Sequence, residues 1–145
     1  SKDITIEGGN YFYTPRMYVP FGLVNYKKTY SMNLQFRNIK ENSEMQDFLE
    51  FIQIFEKNLI KKLNINEEEF ITQVKYSNKY DPMLMTKFLV KSDNIVCNVK
   101  NNNEYLNIYD IGNKFYCKCL IYIDKVWLFK GRYSYKLKIK ELFIE

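Results

Sequence analysis

Between Tyr30 and Arg37 apolar and polar residues alternate, with Tyr30, Met32, Leu34 and Phe36 on one side, and this predicts a half-buried strand. The period then lengthens. Met45, Phe48, Leu49, Ile52, Phe55, Leu59, Ile60 and Leu63 recur at three- and four-residue spacing behind Ser43 and Gln46, which stand in capping-box register, so a long amphipathic helix is expected over Met45–Leu63. Asn66 and Glu69 repeat that signature, and Phe70, Ile71 and Val74 give a second, shorter helix its apolar side. From Asp81-Pro82 onward the period is two, predicting strands over Met83–Lys91, Ile95–Val99, Tyr105–Tyr109, Lys114–Tyr122, Val126–Phe129 and Tyr133–Ile144. Asn101-Asn102-Asn103, Ile111-Gly112-Asn113 and Lys130-Gly131 supply turns. Tyr11–Gly22, aromatic and broken by Pro15 and Pro20, reads as an extended lead-in, because each proline fixes φ and removes a backbone donor.

One strand, a helical insertion and several strands make the class mainly β (α+β). Short strands, one long early connection and a long last hairpin suit a small OB-fold-like antiparallel barrel with a long helix inserted after the first strand. An open α+β sheet with the helix on one face is the alternative. A single domain over residues 1–145 is expected, since halves of this length approach the lower limit of roughly 50 residues for a useful core.

Hydrophobic residues at 46% and aromatics at 17% supply enough apolar surface to offset the entropy of ordering the chain. No run approaches the roughly 18 consecutive apolar residues of a membrane span, and Ser1-Lys2-Asp3-Ile4-Thr5 lacks the apolar segment of a signal peptide. A chain that is neither membrane-bound nor exported is expected. Cys97, Cys117 and Cys119 cannot all pair within one chain, which favours an intracellular, reduced compartment. With no histidine, a four-ligand zinc site on these thiols would have to recruit a carboxylate or water, so neither metal nor cofactor is implied.

The missing histidine also removes the commonest general base and the imidazole of hydrolytic triads. Gly8-Gly9 and the isolated Gly22, Gly112 and Gly131 match neither a Walker loop nor a dinucleotide fingerprint. Carboxylates of the kind that build two-metal nucleases occur at Glu67-Glu68-Glu69, Asp110 and Asp124. The first three are more simply read as favourable charges at a helix N-terminus, and the others as turn residues. No enzymatic activity is expected.

Charge is segregated. From Glu41 to Glu69 eight acids stand against three lysines, a net of −5, so with a chain total of +5 the remainder carries +10. From Lys125 to Lys140 there are six basic residues and no acid. Alternation places Tyr133, Tyr135, Leu137 and Ile139 on one side of the last strand, with Arg132, Ser134, Lys136, Lys138 and Lys140 on the other. Such a ladder can neutralise phosphates, and aromatic faces beside it can stack unpaired bases. The same alternation also describes an edge strand guarded by lysines. Tyrosines stand beside bases elsewhere too, at Tyr11, Tyr13, Arg16 and Tyr18, at Tyr26, Lys27, Lys28 and Tyr30, and at Tyr76, Lys79 and Tyr80, where a core alone would favour Leu, Ile, Val and Phe.

Three segments carry a family likeness: Met17-Tyr18-Val19-Pro20-Phe21-Gly22, Tyr80-Asp81-Pro82 and Val126-Trp127-Leu128-Phe129-Lys130-Gly131-Arg132-Tyr133. In these the chain resembles the single-stranded-DNA-binding proteins of nucleocytoplasmic large DNA viruses. The resemblance implies an OB-fold-like domain whose end hairpin is marked by Trp127, Phe129, Gly131 and Tyr133. The expected partner is single-stranded DNA, held without sequence preference, in viral replication, recombination or repair, in the host cytoplasm or virus factory. RNA and self-association are left open. The expected contacts are Trp127, Phe129, Arg132, Tyr133, Tyr135, Lys136 and Lys138, flanked by phosphate contacts from Arg16, Lys28, Arg37 and Lys79. The alternative is a non-catalytic module docking a protein through Met45–Leu63, where Phe51 and Ile54 lie off the main apolar stripe.

Overall fold

The computed structural model describes residues 10–145 and, as backbone, Lys2–Ile4; the Gly8-Gly9 pair lies outside the described residues. Among the described residues five strands precede the helix: β1 (Lys2–Ile4), β2 (Tyr11–Tyr13), β3 (Met17–Val19), β4 (Val24–Tyr26) and β5 (Thr29–Gln35). The helix α1 (Ser43–Leu63) follows, then β6 (Val74–Lys75), β7 (Met83–Lys91), β8 (Asn94–Val96), β9 (Asn98–Asn101), β10 (Glu104–Leu106), β11 (Phe115–Phe129) and β12 (Arg132–Ile144). The helix is therefore inserted after the fifth strand, not the first. The lead-in read as merely extended pairs as β2 and β3, because Pro15 and Pro20 fall between strands and remove no ladder donor.

The long hairpin β11–β12 is the spine. Along one edge β11 pairs with β12 over nearly its whole length; along the other it takes β1, β2 and β3 in succession. Pairings then run from β3 to β5, from β5 to β7, and from β7 to β12, which is bonded back to β11. The sheet is not wholly antiparallel: β12 runs parallel to β7 and to β9. The excursion through β8–β10 lets the chain return along β11, and its hairpin partner then points the same way as β7.

The strands expected over Lys114–Tyr122 and Val126–Phe129 are one strand, bent by irregular pairing between Leu120 and Ile121 and between Ile123 and Val126. The run Ile95–Val99 divides at Cys97, where β8 leaves β7 and β9 joins β12. Past β10, Ile108–Asp110 is a 3-10 turn. The second helix is also a single 3-10 turn, Glu67–Glu69: its capping box forms, but Phe70 then bridges to Tyr133 and Ile71 N–H donates to the Tyr133 carbonyl at 2.8 Å. Sheet pairing outcompetes the helical period there.

In α1 the cap is Asn42, whose Oδ1 accepts from Met45 N–H at 3.2 Å, while Gln46 reaches back to the carbonyls of Ile39 and Lys40. Asn64 closes the helix in the left-handed conformation, at φ 55°. Met45, Phe48, Ile52 and Leu59 enter one continuous core with Met17, Met32, Leu34, Phe36, Leu84, Cys117, Cys119, Ile121, Leu137 and Ile139. Phe48 sits against Phe12 and Phe36, and Phe55 meets Tyr135 edge-on.

The helix also buries a carboxylate. Glu56, 8% exposed, accepts from the Tyr135 hydroxyl at 2.6 Å, from Gln73 N–H at 2.9 Å and from the Thr72 hydroxyl. One side chain thus ties α1 to β12 and to the segment entering β6. Tyr135→Phe should keep the packing and lose a hydrogen bond to a carboxylate, at about 1.5–3 kcal/mol, seen as a melting temperature lower by roughly 3–12 °C. Glu56→Ala strands several buried donors and should be the more destabilising of the two.

Burial, reinforced by the Glu56 charge, raises the Tyr135 phenol; burial and Glu141 push the Cys97 thiol to about 12; and the hydrogen bond with Cys117, with burial, raises Cys119. The folded protein holds these protons to higher pH than the unfolded chain does. Their contribution to stability is complete below the unfolded values, about 8.5 for a thiol and about 10 for a phenol, and is lost as pH rises through the folded ones. Denaturant midpoints should therefore fall from about pH 8.5 upward, and Cys97→Ser should soften the first part of that decline.

Candidate nucleic-acid interface

Alternation along the end hairpin sorts its side chains, and burial decides which face is wet. Val126, Tyr135, Leu137 and Ile139 are buried, so Trp127, Phe129, Arg132, Ser134, Lys136 and Lys138 stand on the outward face. This corrects the expectation for Tyr135: at 1% exposure, stacked on Phe70 and bonded to Glu56, it offers no ring to a ligand. Tyr133, on the same inward side, is half-buried against the core.

Register places Trp127 opposite Ser134 and Phe129 opposite Arg132. Serine is too short to cover the indole, and a groove of about 610 Å³ opens there, lined by Trp127, Phe129, Lys130, Arg132, Ser134 and Lys136, with Ile71 at its side and Tyr135 beneath. Phe129 is 57% exposed, and Lys136 Nζ lies 3.8 Å from the centre of the Trp127 ring system. Gln73 Nε2 donates to Ser134 Oγ at 3.1 Å and holds the groove floor to the segment that also reaches Glu56. Among the described residues, the Trp127 indole N–H is the buried side-chain polar group without a partner.

Ser134, Tyr135 and Lys136 also line an adjoining hollow of about 480 Å³ over β5 and β7, reached by Ser31, Asn33, Met85 and Lys87 and flanked by Tyr26, which is 69% exposed. Neither space has a carboxylate among its lining residues. Aromatic faces, cations and short polar side chains therefore meet in one trough, with none of the acids of α1 in its lining. Alternation over Tyr30–Arg37 already put Asn33 on the polar side; only the pairing of β5 with β7, and of β7 with β12, brings Asn33 and Lys87 to the hairpin.

The remaining expected contacts scatter. Lys138 forms a 2.9 Å ion pair with Asp124, the acid just before the basic run. Lys28 sits in the β4–β5 turn, 3.7 Å from Asp93. Lys79 lies in a loop beside Lys40 and Tyr80, away from the hairpin. Arg16 and Arg37 come together, each over a tyrosine ring: Arg16 over Tyr116 at 3.7 Å and Arg37 over Tyr18 at 4.0 Å. On α1, Phe51 and Ile54 are about half exposed, though Phe51 also touches Phe12 and Phe48. Among the described residues no cluster of His, Cys, Asp or Glu could hold a metal ion, and no helix is long and apolar enough to cross a membrane.

No protein-family model and no curated protein matches the chain. Solved structures do. The single-stranded DNA-binding protein of bacteriophage Enc34, in complex with single-stranded DNA, is similar at a TM-score of 0.62 and 10% identity, covering 99% of this chain and 95% of that one. A second structure of the Enc34 protein gives a TM-score of 0.64 at 10% identity, over 99% and 89% of the two chains. A C-terminal truncation of it gives 0.61 at 11% identity, over 100% and 95%. The likeness is one of fold: this chain has the fold of phage single-stranded-DNA-binding proteins.

The groove's outer end is turned by Lys130 and Gly131, both left-handed, at φ 51° and 76°. A Cβ on Gly131 would meet nothing within 4 Å, so Gly131→Ala carries only the backbone cost, about 1 kcal/mol. Thermal melts should show that modest loss, with Gly131→Asn costing less.

Proposed function

We propose that this protein binds single-stranded DNA without sequence preference and without catalysis, in the trough between the end hairpin and the outward faces of β5 and β7. The observation that carries the reading is the acid-free groove in which Trp127 and Phe129 stand beside Lys130, Arg132 and Lys136. Bases stack on the aromatic faces, and the cations follow the phosphates. Ser31, Asn33 and Ser134 can satisfy base edges without selecting among them. Duplex DNA hides its base faces and is excluded for that reason.

The circuit of pairings through β11, β3, β5, β7 and β12 supports reading the sheet as a small closed OB-fold-like barrel, with the trough on its outer surface. The resemblance of three segments to proteins of large DNA viruses supports assigning the task to replication, recombination or repair of viral DNA. The fold shared with phage single-stranded-DNA-binding proteins supports the same class of partner. A competing reading, protein docking through α1, draws on half-exposed Phe51 and Ile54. It predicts an association indifferent to salt.

Fluorescence anisotropy of a labelled oligo-dT, against its duplex and an RNA equivalent, separates these readings. Tight binding to the single strand should weaken with salt. Trp127→Ala and Phe129→Ala should each cost about 1–3 kcal/mol, roughly 5- to 150-fold in affinity. Arg132→Gln should flatten the dependence of log affinity on log salt by about 0.7, the share of one phosphate contact on a single strand. Lys28→Ala and Lys79→Ala should change little. Absence of binding at low salt contradicts the proposal.

A further inference from the structure

Trp127 and Phe129 do not exhaust the aromatic surface of β11. The short strands β2 and β3, which follow one another along its edge, set Tyr11 opposite Tyr122, Tyr13 opposite Leu120, and Tyr18 opposite Tyr116. Partners directly opposite share a face, and Cys117, Cys119 and Ile121 between them are fully buried, so these tyrosines stand on the outward side. Tyr11 and Tyr13 are 55% and 67% exposed. The rings touch in pairs, Tyr11 with Tyr122 at 5.7 Å and Tyr18 with Tyr116 at 5.0 Å between centroids. Cations cover them: Lys140 lies 5.0 Å from the Tyr11 centroid, and Arg16 and Arg37 sit over Tyr116 and Tyr18.

We propose that this strip is a second binding surface for single-stranded nucleic acid, carrying the strand from the groove along β11 to the Arg16–Arg37 pair. The proposal rests on the groove being the first such surface. Tyrosine faces paired with cations combine the two ingredients of sequence-tolerant strand binding, stacking and phosphate neutralisation. At the near end Lys138 is the register partner of Tyr122 and adjoins the hairpin's outward row. At the far end an anion already fits, since the Glu145 carboxylate accepts from Arg16 Nε. Asp124 and Glu145 are matched by Lys138 and Arg16, and among the described residues the acids the strand must still pass are Glu141, opposite Leu120 and adjacent in sequence to Lys140, and Glu44, which lines the hollow beside Arg16 and Arg37. Eleven residues separate Tyr116 from Trp127. At ~3.3 Å per residue the strip extends roughly 36 Å, which a strand advancing ~3.4 Å per stacked nucleotide covers with about 10 nucleotides, within the ~4–16 typical of one OB-fold.

The test uses oligo-dT of about 5 and about 15 nucleotides, lengths chosen to fill the groove alone or both surfaces. Tyr13→Ala combined with Arg37→Gln, both at exposed positions, should lower affinity for the long strand roughly tenfold or more and leave the short one unchanged, whereas Trp127→Ala weakens both. Tyr11→Ala with Lys140→Gln should repeat the pattern and guards against a folding artefact in the first pair. If both strip variants hold the long strand as the unmodified protein does, the strip proposal is overturned while the groove stands. If Trp127→Ala leaves the short strand unaffected, the groove reading itself has failed. A strip variant that alters only the sedimentation of the free protein marks a self-contact and also overturns the proposal.

Discussion

The Glu56 carboxylate, buried under the sheet and bonded to Tyr135, Gln73 and Thr72, holds together parts of the chain that are remote in sequence. Placing a carboxylate in a core is costly unless its lone pairs are met, and here donors arrive from three separate residues. Because one of them is the hydroxyl of Tyr135, the helix fixes the facing of β12. With Tyr135 committed inward, Ser134 and Lys136 must point outward, and Trp127 with them. Gln73, whose backbone N–H reaches Glu56, sends its side chain to Ser134, so the same node also supports the groove floor.

That commitment is also what keeps the two signs of charge apart. The acids of Glu41–Glu69 lie on α1 and the turns on either side of it, and the outward face of the hairpin carries Lys130, Arg132 and Lys136. Glu56, an acid lying beneath Tyr135, is not part of the groove lining, and its oxygens are occupied from within. A polyanion approaching the trough meets cations and aromatic faces without an opposing carboxylate in the lining.

Much of this was legible in the sequence, for identifiable reasons. The β7 strand falls on the expected Met83–Lys91, and the alternation of the end hairpin gives its two faces correctly. What alternation cannot give is which face is buried. A tyrosine suits a core or a wet surface equally well, and the partner that draws Tyr135 inward, Glu56, lies 79 residues away. Similarly, a capping box at Asn66 is a sound local signal, but pairing of Phe70 and Ile71 with Tyr133 ends the helix after one turn. The contributions of Tyr26, Asn33 and Lys87 to the trough depend on strand pairing, which no local pattern encodes. Lys28 and Lys79 show the converse, since basic residues beside tyrosines need not gather at one place.

Stacking of bases on the groove can be read from the groove itself, because Trp127 is the chain's one tryptophan. Titrating oligo-dT while following intrinsic fluorescence should give saturable quenching of Trp127 that moves to higher oligonucleotide concentration as salt rises and does not occur with duplex of the same sequence. An oligonucleotide that binds, by an independent probe, with Trp127 emission unchanged would contradict base stacking at the hairpin and place the strand elsewhere on the molecule.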